Sequence, residues 1–267
     1  MTFIRRVLVA LAALPLVGCF EASTVIRLKA DGSGTIEQRL LLTDAATDQL
    51  RAFAILGGGN AAGADPTSEA QARSLADSLG PGVTYVSSTP VKTDKAQGRD
   101  SVYAFTDITK LRVSEQPPVP GGVSLGQQGQ SGGQITFTLT RQPDGNAMLR
   151  ILIPRPDGLP IALPGPNGDV TPPSTQQIEM VKALLAGARL TVALEPEGTL
   201  VQTTSPFVDG NRVTLIDVDI DKIAADPNLT AKLQAPKTAA EANETLKNVP
   251  GLKFTLDPEI TITFTPK

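Results

Sequence analysis

The stretches 135–140 and 260–265 decide the fold class of this chain, and they read ITFTLT and ITITFT. In both stretches an apolar residue alternates with threonine, so side-chain polarity repeats with a period of two. A strand with this period has one apolar face and one wetter face, as in an antiparallel sheet that is covered on one side, whereas strands of a doubly covered parallel sheet are continuously apolar. The pattern therefore predicts an α+β fold with a mostly antiparallel sheet and helices packed on one of its faces.

Turn residues mark two β-hairpins. Asp31-Gly32-Ser33-Gly34 joins predicted strands at 23–30 and 36–42, and Pro143-Asp144-Gly145-Asn146 joins 135–140 to 148–153. The first turn also resembles a glycine loop that cradles an anion. It lacks the lysine of a phosphate loop, and a strand follows it, so the hairpin interpretation is favoured. Further strands are predicted at 83–91, 101–106, 190–194 and 213–220.

Helices are predicted from capping residues and apolar periodicity. One begins at Thr43 or Asp44 and ends at the glycines 57–59, and a second begins at Asp65 and ends at Gly80-Pro81. Others are predicted at 174–187, from Asp221 or Asp226, and from Thr238. The stretches 115–133 and 154–173 are rich in proline and glycine and are predicted to be loops.

The loop at 154–173 suggests a division of the chain. It separates an N-terminal α+β subdomain, 19–153, from a C-terminal α+β subdomain, 174–267. Apolar Leu159, Ile161 and Leu163 lie within the loop, which favours a subdomain boundary over a flexible linker. One continuous domain remains the alternative.

Composition excludes several classes of chemistry. The 267 residues include no histidine and one cysteine, and the formal net charge is −3. Without histidine there is no Ser-His-Asp or Cys-His catalysis and no carboxylate–histidine metal triad. A single cysteine excludes an internal disulfide framework and a thiolate zinc site. The chain is not basic, so no nucleic-acid partner is predicted, and we expect a non-enzymatic protein without a cofactor.

The amino terminus is typical of an export signal. Residues 1–19 read MTFIRRVLVALAALPLVGC, with Arg5 and Arg6 before an apolar run at 7–17 that only Pro15 interrupts. A transmembrane helix needs about 20 apolar residues, so this run is too short for a permanent span. A positive region, an apolar region and a small-residue ending are the three parts of an export signal.

The ending Leu16-Val17-Gly18-Cys19 resembles the bacterial lipobox. The resemblance implies cleavage of the signal peptide 1–18 between Gly18 and Cys19, a thioether-linked diacylglycerol on Cys19, and acylation of the new amine, with palmitate as a typical acyl chain. Several acyl chains, at about 0.8 kcal/mol per buried methylene, anchor a protein stably. Phe20 stands where an inner-membrane retention aspartate often occurs, which implies an outer-membrane location facing the periplasm in a diderm host. The alternative is a plain secretory signal with a chance cysteine.

A wider resemblance covers about a fifth of the chain. Cys19 is followed by a strand, the turn Asp-Gly-Ser-Gly-Thr at 31–35, and the strand end Tyr-Ala-Phe-Thr-Asp-Ile at 103–108. These features are similar to uncharacterised bacterial envelope lipoproteins, including LppM-like ones. The resemblance implies a location in the cell envelope and a mixed α+β body, and it assigns no functional residue. A lipid-binding role has been considered for LppM-like proteins.

Three carboxylates form a candidate calcium site. Asp217, Asp219 and Asp221 alternate along one predicted strand, and hard cations prefer such oxygen ligands. The spacing matches the start of an EF-hand loop, but Lys222 stands where glycine is needed and Asn228 stands where glutamate is needed. The competing interpretation is a solvated strand face, with Asp221 also capping the next helix.

The sequence thus predicts a membrane-anchored, non-enzymatic binding module of the cell envelope. Its ligand is a lipid, a glycan or an envelope protein, and a lipid would require an apolar cavity between the sheet and the helices near 44–56 and 67–79. A structural or assembly lipoprotein, which needs an exposed apolar patch or a pairable edge strand, is the first alternative. A carboxylate hydrolase, which needs two acids about 5–10 Å apart and one raised pKa, is the second.

Overall fold

The computed structural model describes residues 20–48, 65, 67–114, 134–153, 186–228, 231–232, 239–254 and 257–267, which are mostly strand with some helices. The strands are β1 Phe20–Leu28, β2 Gly34–Thr43, β3 Thr84–Lys92, β4 Ala96–Phe105, β5 Val113–Ser114, β6 Gln134–Arg141, β7 Ala147–Leu152, β8 Arg189–Pro196, β9 Gly198–Thr203, β10 Val208–Asp209, β11 Arg212–Asp219, β12 Leu252–Phe254 and β13 Glu259–Pro266. The helices are α1 Glu69–Leu79, α2 Ile220–Ala224 and α3 Ala239–Lys247, with a 3-10 turn at Ile108–Lys110. Residues 44–48 are also helical.

The strands form two sheets. The large sheet has eight strands in the order β10-β11-β8-β1-β2-β4-β3, with β12 also paired to β11, and the small sheet has the order β5-β6-β7-β13-β9. Within the described strands, each pairing is antiparallel except that of β1 with β8, in which Glu21 lies opposite Arg189. The predicted antiparallel character is therefore confirmed, with one parallel pair at the centre of the large sheet.

The hydrophobic core joins side chains of both sheets. Its largest fully buried members are Tyr103, Phe264, Ile26, Leu28, Ile36, Ile108, Ile135, Leu149, Ile151, Leu194, Leu215 and Ile260. The threonine-bearing strands contribute as their alternation predicts, because Ile260, Ile262 and Phe264 are buried while Thr265 is exposed. Among the described helices only α1 adds residues to this cluster, namely Ala76 and Leu79. Helices packed on one face, as predicted, are not seen in the described residues, where a second sheet supplies most of the apolar side chains that pack there.

The chain changes sheet between β8 and β9, where only Glu197 separates the two strands. The Glu197 amide donates a hydrogen bond to the carbonyl of Leu28, the last residue of β1, over 2.7 Å. At Gly198 the backbone approaches β13 so closely that a Cβ atom would lie 2.1 Å from the Thr265 carbonyl oxygen. Glycine is therefore required at this crossing.

Asn211 fastens the same crossing from the turn between β10 and β11. Its Nδ2 donates to the carbonyl oxygens of Pro196, at 2.9 Å, and Gly198, at 2.6 Å. Its Oδ1 accepts a hydrogen bond from the Leu200 amide at 2.8 Å. One side chain thus satisfies three backbone groups on both sides of the point at which the chain leaves the large sheet.

Both predicted hairpins are confirmed. Gly32, at a φ of 91°, closes the turn between β1 and β2, and Gly145, at a φ of 87°, closes the turn between β6 and β7. Positive φ values favour glycine, which has no Cβ to clash with the backbone. Local turn chemistry was enough to place these two connections.

The start of α1 differs from the prediction. Ser68, and not Asp65, is the N-cap, because its side chain accepts a hydrogen bond from the Gln71 amide. The Asp65 carboxylate instead accepts hydrogen bonds from the amide and hydroxyl of Thr67, at 2.9 and 2.7 Å. The Asp65 carboxylate is therefore hydrogen-bonded within a local turn that precedes the helix. The helix ends at Gly80 as predicted.

Several predictions fall outside the described residues. These are the loops 115–133 and 154–173, the helix at 174–187 apart from its end, most of the helix after residue 48, and Thr238. The subdomain boundary at 154–173 therefore stays a prediction. Both sheets nevertheless contain strands from either side of it, since β1 pairs with β8 and β7 pairs with β13.

Tyr103 provides a test of how α1 is held. Its ring is fully buried, and its hydroxyl donates to the Ala72 carbonyl at 2.9 Å. We expect Tyr103→Phe to lower the free energy of unfolding by about 1 kcal/mol at pH 7, the usual effect of one lost hydrogen bond. Urea unfolding of both proteins measures this difference.

The same tyrosine predicts a pH dependence. Burial raises the pKa of Tyr103 above that of an exposed tyrosine. As the pH rises above about 10, the unfolded chain therefore loses this proton before the folded chain does, and the wild type loses stability. Tyr103→Phe removes that contribution, so its stability should fall less steeply between pH 9 and pH 11. Equal slopes in the two proteins would show that this phenol is not the source.

Candidate functional site

The start of β1 defines one end of the large sheet, which we call the proximal end. Phe20 pairs with Leu42 of β2, and Glu21 pairs with Arg189 of β8. At this end β1 is flanked by β8, β11 and β12 on one side and by β2, β4 and β3 on the other. Because Cys19 is bonded to Phe20, a group carried by Cys19 is attached at the middle of the proximal end without a linker.

Basic and acidic side chains alternate at the proximal end. The exposed cations here are Lys92, Lys95, Arg189, Lys222 and Lys253. Two of them are paired, since Lys222 lies 3.1 Å from Asp219 and Lys253 lies 3.7 Å from Asp217. Exposed ion pairs of this kind contribute about 0–1 kcal/mol each, and they leave a surface of mixed charge.

The opposite, distal end carries the turn at 31–34. The Asp31 carboxylate accepts hydrogen bonds from the Ser33 hydroxyl and amide, at 2.7 and 2.9 Å. These bonds hold the pKa of Asp31 below its usual value, so the turn itself carries a negative charge at neutral pH. The Gly32 carbonyl accepts a hydrogen bond from the Ile108 amide at 2.8 Å. The turn therefore binds its own carboxylate and is not a cradle for a phosphate.

The three candidate calcium ligands have separate partners. Asp217 accepts a hydrogen bond from the Thr191 hydroxyl at 3.2 Å, and Asp221 accepts one from the Gly187 amide at 2.7 Å. Asp219 is the N-cap of α2 and accepts from the Lys222 amide at 3.1 Å. Although burial raises the pKa of Asp219, the hydrogen bonds from Lys222 outweigh it and lower the pKa.

These contacts leave the calcium hypothesis without structural support. Nowhere in the described ranges do three or more carboxylate, histidine or cysteine side chains converge as a metal-binding group. The predicted cap is also corrected, because Asp219 caps α2 and Asp221 lies inside that helix. β11 continues to Asp219, so the N-cap of α2 lies two positions before Asp221.

A polar cluster that the sequence did not predict fastens α1 to β3 and β4. Glu69 accepts hydrogen bonds from Arg73 at 2.6 Å and from the Tyr85 hydroxyl at 3.1 Å. The Tyr85 hydroxyl lies 2.6 Å from Ser88 Oγ, to which Arg99 donates from Nε at 2.5 Å. The Arg73 guanidinium also stacks over the Tyr85 ring at 4.4 Å.

This cluster is satisfied by its own members. Arg99 is largely buried and donates to the Thr67 carbonyl just before α1. Hydrogen bonds from Arg73 and then Tyr85 lower the pKa of Glu69, which keeps this acid ionised at neutral pH. An ionised, fully partnered carboxylate is a poor general acid. The i,i+4 spacing of Glu69 and Arg73 is visible in the sequence, whereas only the strand pairing brings Tyr85 and Arg99 to them.

The outer face of the large sheet carries a second balanced set of charges. Arg27 lies 2.7 Å from Glu37 and 2.7 Å from Glu195, and Arg212 lies 3.4 Å from Glu195. The hydrogen bond with Glu37 is the main reason that the pKa of Arg27 is raised. Two guanidinium groups and two carboxylates neutralise each other, which is typical of a solvated sheet face.

The remaining site predictions concern residues outside the described part of the chain. Cys19 and Gly18 precede Phe20, and residues 49–56 of the predicted lipid-cavity lining are also outside it. At α1, the other proposed wall, the buried alanines Ala72 and Ala76 and the Tyr103 hydrogen bond bring helix and sheet into close contact. No helix in the described ranges has the length and apolar character that a membrane span requires.

Comparisons with known proteins find distant structural similarity. Neither a protein-family model nor a curated protein matches the chain. It is similar to the NMR structure of the folded domain of LppM from Mycobacterium tuberculosis, at 9% identity and a TM-score of 0.34, over 96% of this chain and 95% of that one. It is also similar to an M1 zinc metallopeptidase from Deinococcus radiodurans bound to a Tyr-Ser-Ala substrate, at 10% identity and a TM-score of 0.19, over 77% of this chain and 40% of that one. Similarities this distant do not transfer a function.

Proposed function

We propose that this protein is a lipoprotein of the bacterial cell envelope whose body acts as a non-enzymatic binding module. The signal peptide 1–18 is removed, Cys19 carries the acyl chains, and they hold the body at the membrane. In a diderm host the location is the outer membrane, facing the periplasm. The acyl chains supply the membrane affinity, since the mature chain has 22 basic and 27 acidic residues and a formal charge of −5.

One observation carries this proposal. The lipobox-like ending Leu16-Val17-Gly18-Cys19 stops one residue before β1, a central strand of the large sheet. Cleavage before Cys19 therefore removes the whole export signal and no described residue of either sheet. The proposed processing requires that cleavage leave the folded body intact, and every described strand lies after the cleavage point.

Acylation of Cys19 gives the first test. We expect wild-type protein, expressed in bacteria that are fed an alkyne analogue of palmitate, to take up this label. Cys19→Ala should reduce incorporation to background, because the thiol that accepts the diacylglycerol is gone. Ser23→Ala, a similar change four residues away on β1, should keep the label. A wild-type protein with a free thiol in the soluble fraction would contradict the proposal.

The non-enzymatic role is supported by the state of the acids. Every described carboxylate with a resolved pKa shift, at Asp31, Glu69, Asp107, Asp219 and Asp226, has its pKa lowered. A carboxylate hydrolase needs one acid whose pKa is raised, so that it holds a proton at neutral pH. None of these five acids meets that requirement, which favours binding over hydrolysis.

The edge strand β3 disfavours the assembly alternative. It has a bulge between Tyr85 and Ser87, a proline at position 90 and an exposed lysine at position 92. A bulge, a proline and a charged residue each hinder pairing with a strand of another protein. Among the residues that the structure describes, the most exposed large apolar side chains are Val86, Leu152, Val201 and Val208, and they lie on four different strands.

The class of ligand is decided by a second experiment. Exchange of residues 1–18 for a signal without a lipobox, together with Cys19→Ala, exports the body without its acyl chains. Native mass spectrometry of this body then shows whether a lipid or a glycan stays bound. A retained lipid supports a lipid ligand, and an empty body supports an envelope-protein partner.

A further inference from the structure

The position of β1 fixes how the body meets the membrane, and this inference rests on the proposed acylation of Cys19. Phe20 is already paired within the large sheet, to Leu42. A flexible linker would let the body rotate freely over the bilayer. Here Phe20 directly follows the acylated residue, so no linker separates the two. Consecutive Cα atoms are about 3.8 Å apart, and Cys19 is therefore held within that distance of the sheet.

The width of the sheet limits the orientations that remain. Three strands flank β1 on each side at the proximal end. With strands about 4.8 Å apart, the sheet extends about 14 Å on either side of β1. Resting on the edge strand β3 or on β12 would lift Cys19 about 14 Å away from the lipid that its acyl chains must reach. Contact through the proximal end avoids that separation.

We propose that the proximal end of the large sheet is a membrane-facing surface that contacts phospholipid headgroups. β1 then leads away from the bilayer, and its eight steps of about 3.3 Å place Leu28 about 26 Å farther out, with the turn at 31–34 beyond it. The distal end is consequently the part of the large sheet that is presented to the surrounding compartment.

Covalent geometry, and not charge, sets this orientation. The proximal end combines the exposed cations Lys92, Lys95 and Arg189 with the exposed acids Asp94 and Asp221. A surface of mixed charge gains little from anionic headgroups. The orientation should therefore be the same in vesicles of zwitterionic lipid and in vesicles that also contain anionic lipid.

Two matched cysteine variants test the proposal. Acylation consumes the thiol of Cys19, the only cysteine of the chain, so one added cysteine is uniquely available for a spin label. Lys95→Cys places the label in the exposed turn between β3 and β4, and Lys29→Cys places it just beyond β1 at the distal end. Both changes remove one exposed lysine, so they are matched in charge.

The readout is collision of each label with nickel held by a chelating lipid headgroup. In phosphatidylcholine vesicles carrying the acylated, full-length mature protein, we expect collision to be several-fold more frequent at position 95 than at position 29. Insertion of ten Gly/Ser residues between Cys19 and Phe20 should abolish most of this difference while the protein stays bound, since such a linker spans about 18 Å.

The outcomes separate this inference from the proposed function. Equal collision at positions 95 and 29 in an acylated, vesicle-bound protein, or more collision at position 29, would overturn the orientation and leave the anchoring intact. A wild-type protein whose Cys19 itself takes up the spin label and stays off the vesicles would overturn both. A difference that the linker does not reduce would also overturn the covalent explanation.

Discussion

Phe264→Ala is expected to lower the free energy of unfolding by about 3–5 kcal/mol, the usual range for removal of a large buried aromatic side chain. Phe264 is fully buried on β13, between Ala147 of β7 and Leu200 of β9. It belongs to the cluster that joins the two sheets. Because small domains are stable by about 5–15 kcal/mol in total, this single change would remove a large part of the stability.

Val201→Ala is the matched control for this experiment. Val201 lies on the neighbouring strand β9 and is 55% exposed, so its truncation should change stability by no more than about 0.5 kcal/mol. Urea unfolding followed by circular dichroism compares both variants with the wild type. A Phe264→Ala protein as stable as the Val201→Ala protein would show that Phe264 does not lie in a packed core between the two sheets.

Asn211→Ala is expected to cost about 2–3 kcal/mol, because partly buried backbone groups lose their hydrogen-bond partners. At the crossing between the sheets, the side-chain amide of Asn211 donates hydrogen bonds to the Pro196 and Gly198 carbonyls and accepts one from the Leu200 backbone amide. Removal of the side chain leaves these three groups without its hydrogen bonds. The loss should appear both in urea unfolding and as faster hydrogen exchange of the Leu200 amide.

Asn146→Ala distinguishes this role from a general effect of losing an asparagine. Asn146 also lies in a turn, and its side chain contacts Asp144 and Thr265 at the surface. We expect a change of about 0.5 kcal/mol or less, as for most surface substitutions. If Asn211→Ala were equally mild, the crossing would be held by other contacts, such as the Glu197 amide bond to Leu28.

Features that depend on neighbouring residues were predictable from the sequence. The alternation of Ile260, Ile262 and Phe264 with threonine placed one face of β13 in the core, because side chains of a strand point alternately to its two faces. The turns at Gly32 and Gly145 followed from residues that tolerate positive φ. Cap positions were less secure, since Asp65 and Ser68 both accept backbone hydrogen bonds and only the folded chain shows which of them begins the helix.

The candidate sites also differ in whether residues close together in the sequence define them. The lipobox-like ending at Cys19 is a local pattern and is complete in the sequence. The spacing of Asp217, Asp219 and Asp221 suggested a shared site, but Thr191, Lys222 and Gly187 each engage one of them. Two of those partners come from elsewhere in the chain, so the separate roles of the carboxylates could not be found in the local spacing.

The sequence by itself determined the strand periodicity and the hairpin turns and predicted an export signal, because each depends on the chemistry of residues within a few positions of one another. The tertiary structure alone decided that β1 pairs in parallel with β8, that the chain changes sheet at Glu197, and that a second sheet meets the first in the core. Many strands offer the same alternating apolar face and the same backbone hydrogen-bonding groups. The choice among them depends on how all of these faces are buried together, and no local stretch of sequence contains that information.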